Sequence, residues 1–366
     1  MPLWVDKYRP KSLRELDFHP TLTDRLGKIA QSKNVPHLLF YGPNGSGKKT
    51  RIHCLLREMF GPGVDRVRVD RKTFQATASK QVEITTLSSN FHIEINPSDV
   101  GNYDRVVVSE VIKEMAAAQS MASSAFTQKG GSETGENARP YKLVVITEAD
   151  MLTRAAQQGL RRTMEKYAGT CRLVLCCESL NKVIEPVRSR CLAIRVPSPT
   201  LEEISFAVGN ALRNEGCTTA SESFLSQLSL RSHRNLRRAL LMAETSKVAM
   251  GGESGELVTQ LPDWERYVEQ VAKEITAQQS PQILLEVRAK LYELLANCIP
   301  PEVIFKSLCN ELCKRVDDDL KFQLVHWAAH YQAKLSGQGQ KPIYYLEAFV
   351  AKFMCLYKEY LVSMFA

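Results

Sequence analysis

The segment Gly42-Pro-Asn-Gly-Ser-Gly-Lys48 combines residue types and spacing that suit a phosphate group. Glycines let the backbone wrap an anion so that successive N–H groups point inward. A helix opening directly afterwards adds positive potential, and Lys48 can reach the β- and γ-phosphates. Gly42, Asn44, Gly45, Ser46, Gly47, Lys48, Lys49 and Thr50 are therefore candidate nucleotide contacts, for ATP or ADP. The position after the loop lysine usually carries Ser or Thr, whose hydroxyl ligates Mg²⁺. Here it is Lys49, and Thr50 follows one residue later. One residue turns a helix by about 100°, so Thr50 is expected to face away from the metal position. Further on, the apolar run Leu143–Ile146 leads into Thr147-Glu-Ala-Asp150. Thr147 stands where a metal-organising aspartate is usual, while Glu148 keeps the acidic, water-activating position. Two magnesium-associated side chains are missing together. Magnesium is expected to be held weakly or not at all, and no other metal is expected.

These residues need elements to carry them. Short aliphatic runs at His37–Tyr41, Gln81–Thr86, Asn90–Asn96, Lys142–Ile146, Cys171–Cys177 and Leu192–Val196 read as strands. Helical patterns lie between them, at Thr50–Phe60, Asp104–Ala118 and Arg154–Lys166. Strands alternating with helices predict a mainly parallel sheet covered on both faces. The glycine-rich stretch Ser123–Pro140 predicts a surface insertion. After Pro197–Pro199 the chain turns helical, at Leu201–Asn214, Ser221–Leu230 and Arg234–Ser246. Beyond the loop Gly251–Pro262, helices are predicted at Trp264–Ala277, Pro281–Cys298, Pro301–Val316, Leu320–Leu335 and Ile343–Val362.

The 366 residues are 44% hydrophobic and 24% charged, as in ordinary globular chains, with a net charge of +8. That bias is compatible with polyanionic partners, but no basic tail exists. No apolar run reaches membrane-spanning length, and the opening Met-Pro-Leu-Trp-Val-Asp-Lys-Tyr-Arg-Pro lacks a secretory core. An intracellular protein without membrane partners is expected. The ten cysteines form no Cys-x-x-Cys pair, so zinc-ribbon and dithiol redox readings have no support.

Leu3-Trp-Val-Asp-Lys-Tyr-Arg-Pro10, Gly42–Lys48, Thr147–Asp150, Leu160-Arg-Arg-Thr-Met-Glu-Lys-Tyr167, Ser189-Arg-Cys191 and Asn235-Leu-Arg-Arg-Ala-Leu240 occur in a fixed order. From residue 3 to 240 the chain thereby resembles the small subunits of replication factor C, the clamp-loader family. The resemblance implies an α/β P-loop AAA+ domain over 1–199, a helical lid (sensor 2) domain over 200–252 and an all-α collar over 262–366. It implies a hetero-pentameric arc of such subunits in the nucleus. The arc binds ATP between subunits, opens the PCNA sliding clamp and places it on primer–template DNA in replication and repair.

By the same resemblance, Val5, Tyr8, Arg9 and Pro10 would line the adenine pocket, and Arg237 would take the lid arginine's place. Glu178 departs from the family's sensor asparagine. Arg190 matches the arginine finger that reaches a neighbour's γ-phosphate, and Arg161, Arg162 and Glu165 would support the same interface. Arg105 and Arg154, near helix starts, are the candidates for DNA backbone contact. Gln119–Phe126 faintly resembles a clamp-binding box without its paired aromatics. Two other classes remain open: a scaffold subunit that uses nucleotide only for stability, and an independent AAA+ motor. Arg190 disfavours the former, since a scaffold needs no finger; Lys49 and Thr147 disfavour the latter.

Overall fold

The computed structural model describes residues 2–32, 34–77, 80–128, 141–217, 221–249, 259–338 and 341–365. They form two compact units, Met1–Thr259 and Gln260–Ala366. In the first, the helices Trp4–Lys7 (α1) and Pro20–Gln31 (α2) precede strand His37–Tyr41 (β1) and helix Lys48–Phe60 (α3). Strands Arg68–Thr77 (β2), Lys80–Ser88 (β3) and His92–Ile95 (β4) come next, then helix Asp104–Gln128 (α4). Strand Lys142–Ile146 (β5), helix Arg154–Lys166 (α5), strand Cys171–Cys177 (β6), helix Glu185–Arg188 (α6) and strand Cys191–Arg195 (β7) complete the α/β layer. Helices Leu201–Asn214 (α7), Glu222–Arg231 (α8) and Leu236–Ala249 (α9) belong to the same compact unit.

The sheet runs β2-β3-β4-β5-β6-β1-β7. Its β4–β5, β5–β6, β6–β1 and β1–β7 pairings are parallel, and β2–β3 and β3–β4 are antiparallel. Alternate side chains of the central strands feed opposite faces. Leu39, Val144, Ile146, Leu173 and Leu175 pack with Val107, Val111 and Leu160 of α4 and α5. Leu38, Phe40, Leu143, Val145 and Val174 pack with Leu26, Ile52, Leu55 and Leu56 of α2 and α3. Both faces of β5 and β6 are thus buried, which explains their uninterrupted apolar sequence.

Two readings need correction. Strand β2 has no counterpart among the expected strands, because Arg68, Asp70, Arg71 and Lys72 hide the strand pattern. It closes the sheet as an edge, where charged side chains are tolerated and discourage stray pairing. Helix α4 continues past Ala118 to Gln128, so the start of the expected insertion is helical. Nothing between Ala118 and Gln128 is a glycine or proline that would stop it. The rest of that insertion, 129–140, lies outside the described residues, as do 251–258 of the later loop.

The second unit contains helices Asp263–Ala277 (α10), Pro281–Ala296 (α11), Pro301–Cys313 (α12), Asp318–Gln338 (α13) and Pro342–Phe365 (α14). Its own core gathers Val271, Ile275, Leu291, Leu308 and Leu346 around Phe305 and Phe349, whose ring centroids lie 4.9 Å apart. No described helix is long and apolar enough to cross a membrane. All ten cysteines are free thiols. Burial pushes Cys171 and Cys177 up to about 12, which keeps them protonated and inert.

Candidate functional site

Strand β1 delivers the chain to the phosphate loop at Gly42. Val196, just past β7, donates its N–H to the Tyr41 carbonyl at 2.8 Å, drawing that backbone against the loop. A Cβ at Gly42 would lie 2.0 Å from the Val196 carbonyl oxygen, so only glycine fits. Gly45 and Gly47 adopt φ of 72° and 82°, and a Cβ at Gly45 would strike Asn235 Oδ1 at 1.8 Å. Ser46 is fully buried and donates to the Pro43 carbonyl at 2.8 Å. Gly42 and Ser46 therefore shape the loop from behind. Gly42→Ala should destabilise the protein by about 3 kcal/mol or more, because backbone blocks its new methyl. A urea melt that matches the unsubstituted protein would contradict that close approach.

Two adjoining cavities flank the loop. The larger, about 550 Å³, is walled by Val5, Tyr8, Arg9 and Pro10, by Thr50 of α3, and by Asn210, Leu236 and Arg237 of the helical segment. Its mixture of apolar walls and a few amides suits a flat, hydrogen-bonding ring. The smaller, about 330 Å³, lies over Asn44, Lys48 and Lys49 and is closed by Glu148, Asp150 and Glu178. Arg9, Gly45, Gly47, Thr50 and Arg237 line both. Thr50, a candidate nucleotide contact, thus lies at both cavities. A base-sized hollow joined to a lysine-bearing loop at a helix start fits a nucleotide.

The wall of the larger cavity is tied to the helical segment by Glu215, at the end of α7. Its carboxylate accepts from Lys7, from the Tyr8 hydroxyl at 2.6 Å and from Lys247 at 3.2 Å. These donors hold the Glu215 carboxyl down to about 2. Trp4 is buried and its backbone N–H donates to the Glu244 carboxylate at 3.1 Å. Phe18 completes the wall. The fully buried Arg51 holds it by donating to the Phe18 carbonyl at 2.7 Å, with its guanidinium 5.0 Å from the Phe18 ring centre. Neither Phe18 nor Arg51 stood out in the sequence, because each acts through a partner roughly thirty residues away.

Around the phosphate side, Lys48 donates to the Gly42 and Pro43 carbonyls at 2.8 and 2.9 Å. Thr147 is buried and gives its hydroxyl to the Ile95 carbonyl at 3.2 Å. Its hydroxyl proton is therefore committed to the fold, and the residue brings no carboxylate to the site. Glu148, at φ 54°, accepts from Ser98 at 2.7 Å. Lys49 lies 3.7 Å from Glu94. Among the described residues no cluster of three His, Cys, Asp or Glu side chains could hold a metal.

Arg190 lies between α6 and β7. Glu165 accepts from its Nε and Nη2 at 2.8 and 2.6 Å, and the Pro186 carbonyl accepts from Nη1 at 2.8 Å. Arg161 approaches the same Glu165 oxygen at 3.7 Å, and Arg162 lies on the exposed side of α5. Arg105 and Arg154 begin two packed helices joined by buried Asp104, which accepts from the Arg105 N–H at 2.7 Å and from the Thr153 N–H at 2.6 Å. The Gln119–Phe126 backbone is helical, and its side chains lie outside the described residues.

The model for the C-terminal domain of replication factor C subunit 3 matches residues 264–361, and that for the DNA polymerase III delta subunit matches 18–200. Mouse replication factor C subunit 3 is 48% identical over 361 residues, covering 99% of this chain and 98% of its own. The chain belongs to the replication factor C family. The human subunit 3 is 47% identical with the same coverage, and rice replication factor C subunit 5 is 48% identical, covering 99% of each. Similarity to replication factor C subunits thus runs through both compact units. The family binds nucleotide, and both cavities lie within Met1–Thr259. The Thermotoga maritima RuvB branch migration motor is a looser structural likeness, with a TM-score of 0.47 and 17% identity over 78% of this chain and 85% of that one.

Proposed function

We propose that this replication factor C subunit holds ATP or ADP in a site with little or no use for magnesium, and offers Arg190 to a neighbouring subunit's nucleotide. The carrying observation is the joint state of two positions. Lys49 occupies the usual hydroxyl position and lies by Glu94, while Thr147, buried and bonded to the Ile95 carbonyl, supplies no carboxylate. Within this reading the 1–199, 200–252 and 262–366 segments act as AAA+ domain, lid and collar. The subunit works in the nucleus inside a hetero-pentamer that sets the PCNA clamp on primer–template DNA. Its backbone grip uses the paired helix starts at Arg105 and Arg154, which suits contact without base reading. ATP, when bound, supplies the phosphoanhydride. Val5, Tyr8 and Pro10 hold the base, Lys48 and the loop N–H groups hold phosphates, and Arg237 touches both ends of the site.

The purified subunit should bind ATP and ADP yet show almost no steady-state hydrolysis with magnesium present. Brisk turnover that disappears in Lys48→Ala would refute the degenerate site.

A further inference from the structure

Lys49 has a partner that its place in the phosphate loop does not foretell. Glu94, on β4, is largely buried, with 11% of its side chain exposed, and its two oxygens face Lys49 Nζ at 3.7 Å and His53 Nε2 at 3.5 Å. Both partners come from α3, one turn apart. A carboxylate removed from water needs a cation. Burial pushes the His53 imidazole below its usual range and favours its neutral form, so the cation paired with Glu94 is Lys49. The separation of 3.7 Å is a loose ion pair rather than a tight hydrogen bond. Lys49 also lines the smaller cavity beside Lys48, so its ammonium can serve either neighbour. The residue after Glu94 is Ile95, whose carbonyl takes the Thr147 hydroxyl. The lost metal positions and the added ion pair therefore adjoin one another.

We propose that Glu94 sets the affinity of the nucleotide site by competing with the phosphates for the Lys49 ammonium. This rests on the degenerate-site reading. The carboxylate's charge tethers Lys49 at the cavity wall. Removing that charge frees Lys49 for the phosphates, so nucleotide binds more tightly. Loss of a merely structural contact would weaken binding instead.

The test is calorimetric titration of the purified full chain with ATP and with ADP in EDTA. Glu94→Gln should tighten binding about fivefold, and Glu94→Ala, which removes the same charge, should do likewise. Lys49→Met should weaken binding, and adding Glu94→Gln to it should change nothing further. Unchanged or weaker binding in a normally folded Glu94→Gln protein overturns the proposal, as does a gain that survives in the double variant. Failure of the unsubstituted chain to bind either nucleotide overturns the site reading as well, so the two failures are distinguishable.

Discussion

Replacing Arg190 by alanine in the assembled complex is expected to slow ATP hydrolysis at the adjacent subunit's site by about 10³-fold or more. The guanidinium is held ready rather than locked. Its two bonds to Glu165 form a half-exposed pair, with side-chain exposures of 32% and 51%. Such surface pairs contribute only about 0.2 to 1 kcal/mol, so a phosphate can displace Glu165 at small cost. Arg190→Lys should recover little of the loss, because an ammonium lacks the planar fork that spans two oxygens. Glu165→Gln should be mild, since the Pro186 carbonyl still orients the side chain. Site-resolved hydrolysis that stays unchanged in Arg190→Ala would remove the finger role.

The second large effect concerns Lys48. Alanine there should weaken ATP and ADP binding by about 100-fold or more, because the substitution removes a charged donor from a partly enclosed phosphate site. The Gly42 and Pro43 carbonyls hold the ammonium over the loop, so little side-chain entropy is lost on binding. Equilibrium dialysis with labelled ADP measures this, and an unchanged dissociation constant would show that the loop does not carry the nucleotide. Stability should change little, since the Lys48 ammonium bonds to carbonyls of its own loop.

How much of this was readable beforehand depends on the range of the interactions. Strands β1, β5 and β6 and helices α5 and α7 have the ends expected from sequence, because apolar runs and caps are local signals. Thr200 and Glu203, for instance, form a complete capping box at the start of α7. Strand β2 was hidden because an edge needs no apolar alternation. At the site, Gly42 to Lys48 stood out through residue types that few other settings demand. Phe18 and Asn210, which line the larger cavity, and Glu94, which meets Lys49, did not, since their places depend on chain crossings that no local spacing encodes. The Glu215 knot is the extreme case, joining residues more than 200 positions apart.

Strand β1 pairs in parallel with β7, from His37 opposite Cys191 to Tyr41 opposite Arg195. The end of this ladder at Tyr41 leads into Gly42, and the end at Cys191 follows directly on Arg190. Five residues of strand span about 17 Å, so the loop and the guanidinium cap opposite ends of one stiff strut. In an arc built from such protomers, each strut would reach from the nucleotide of one subunit to that of the next. On the proposed reading, a shift of that strut at the loop end would be felt at Arg190 without any flexible relay.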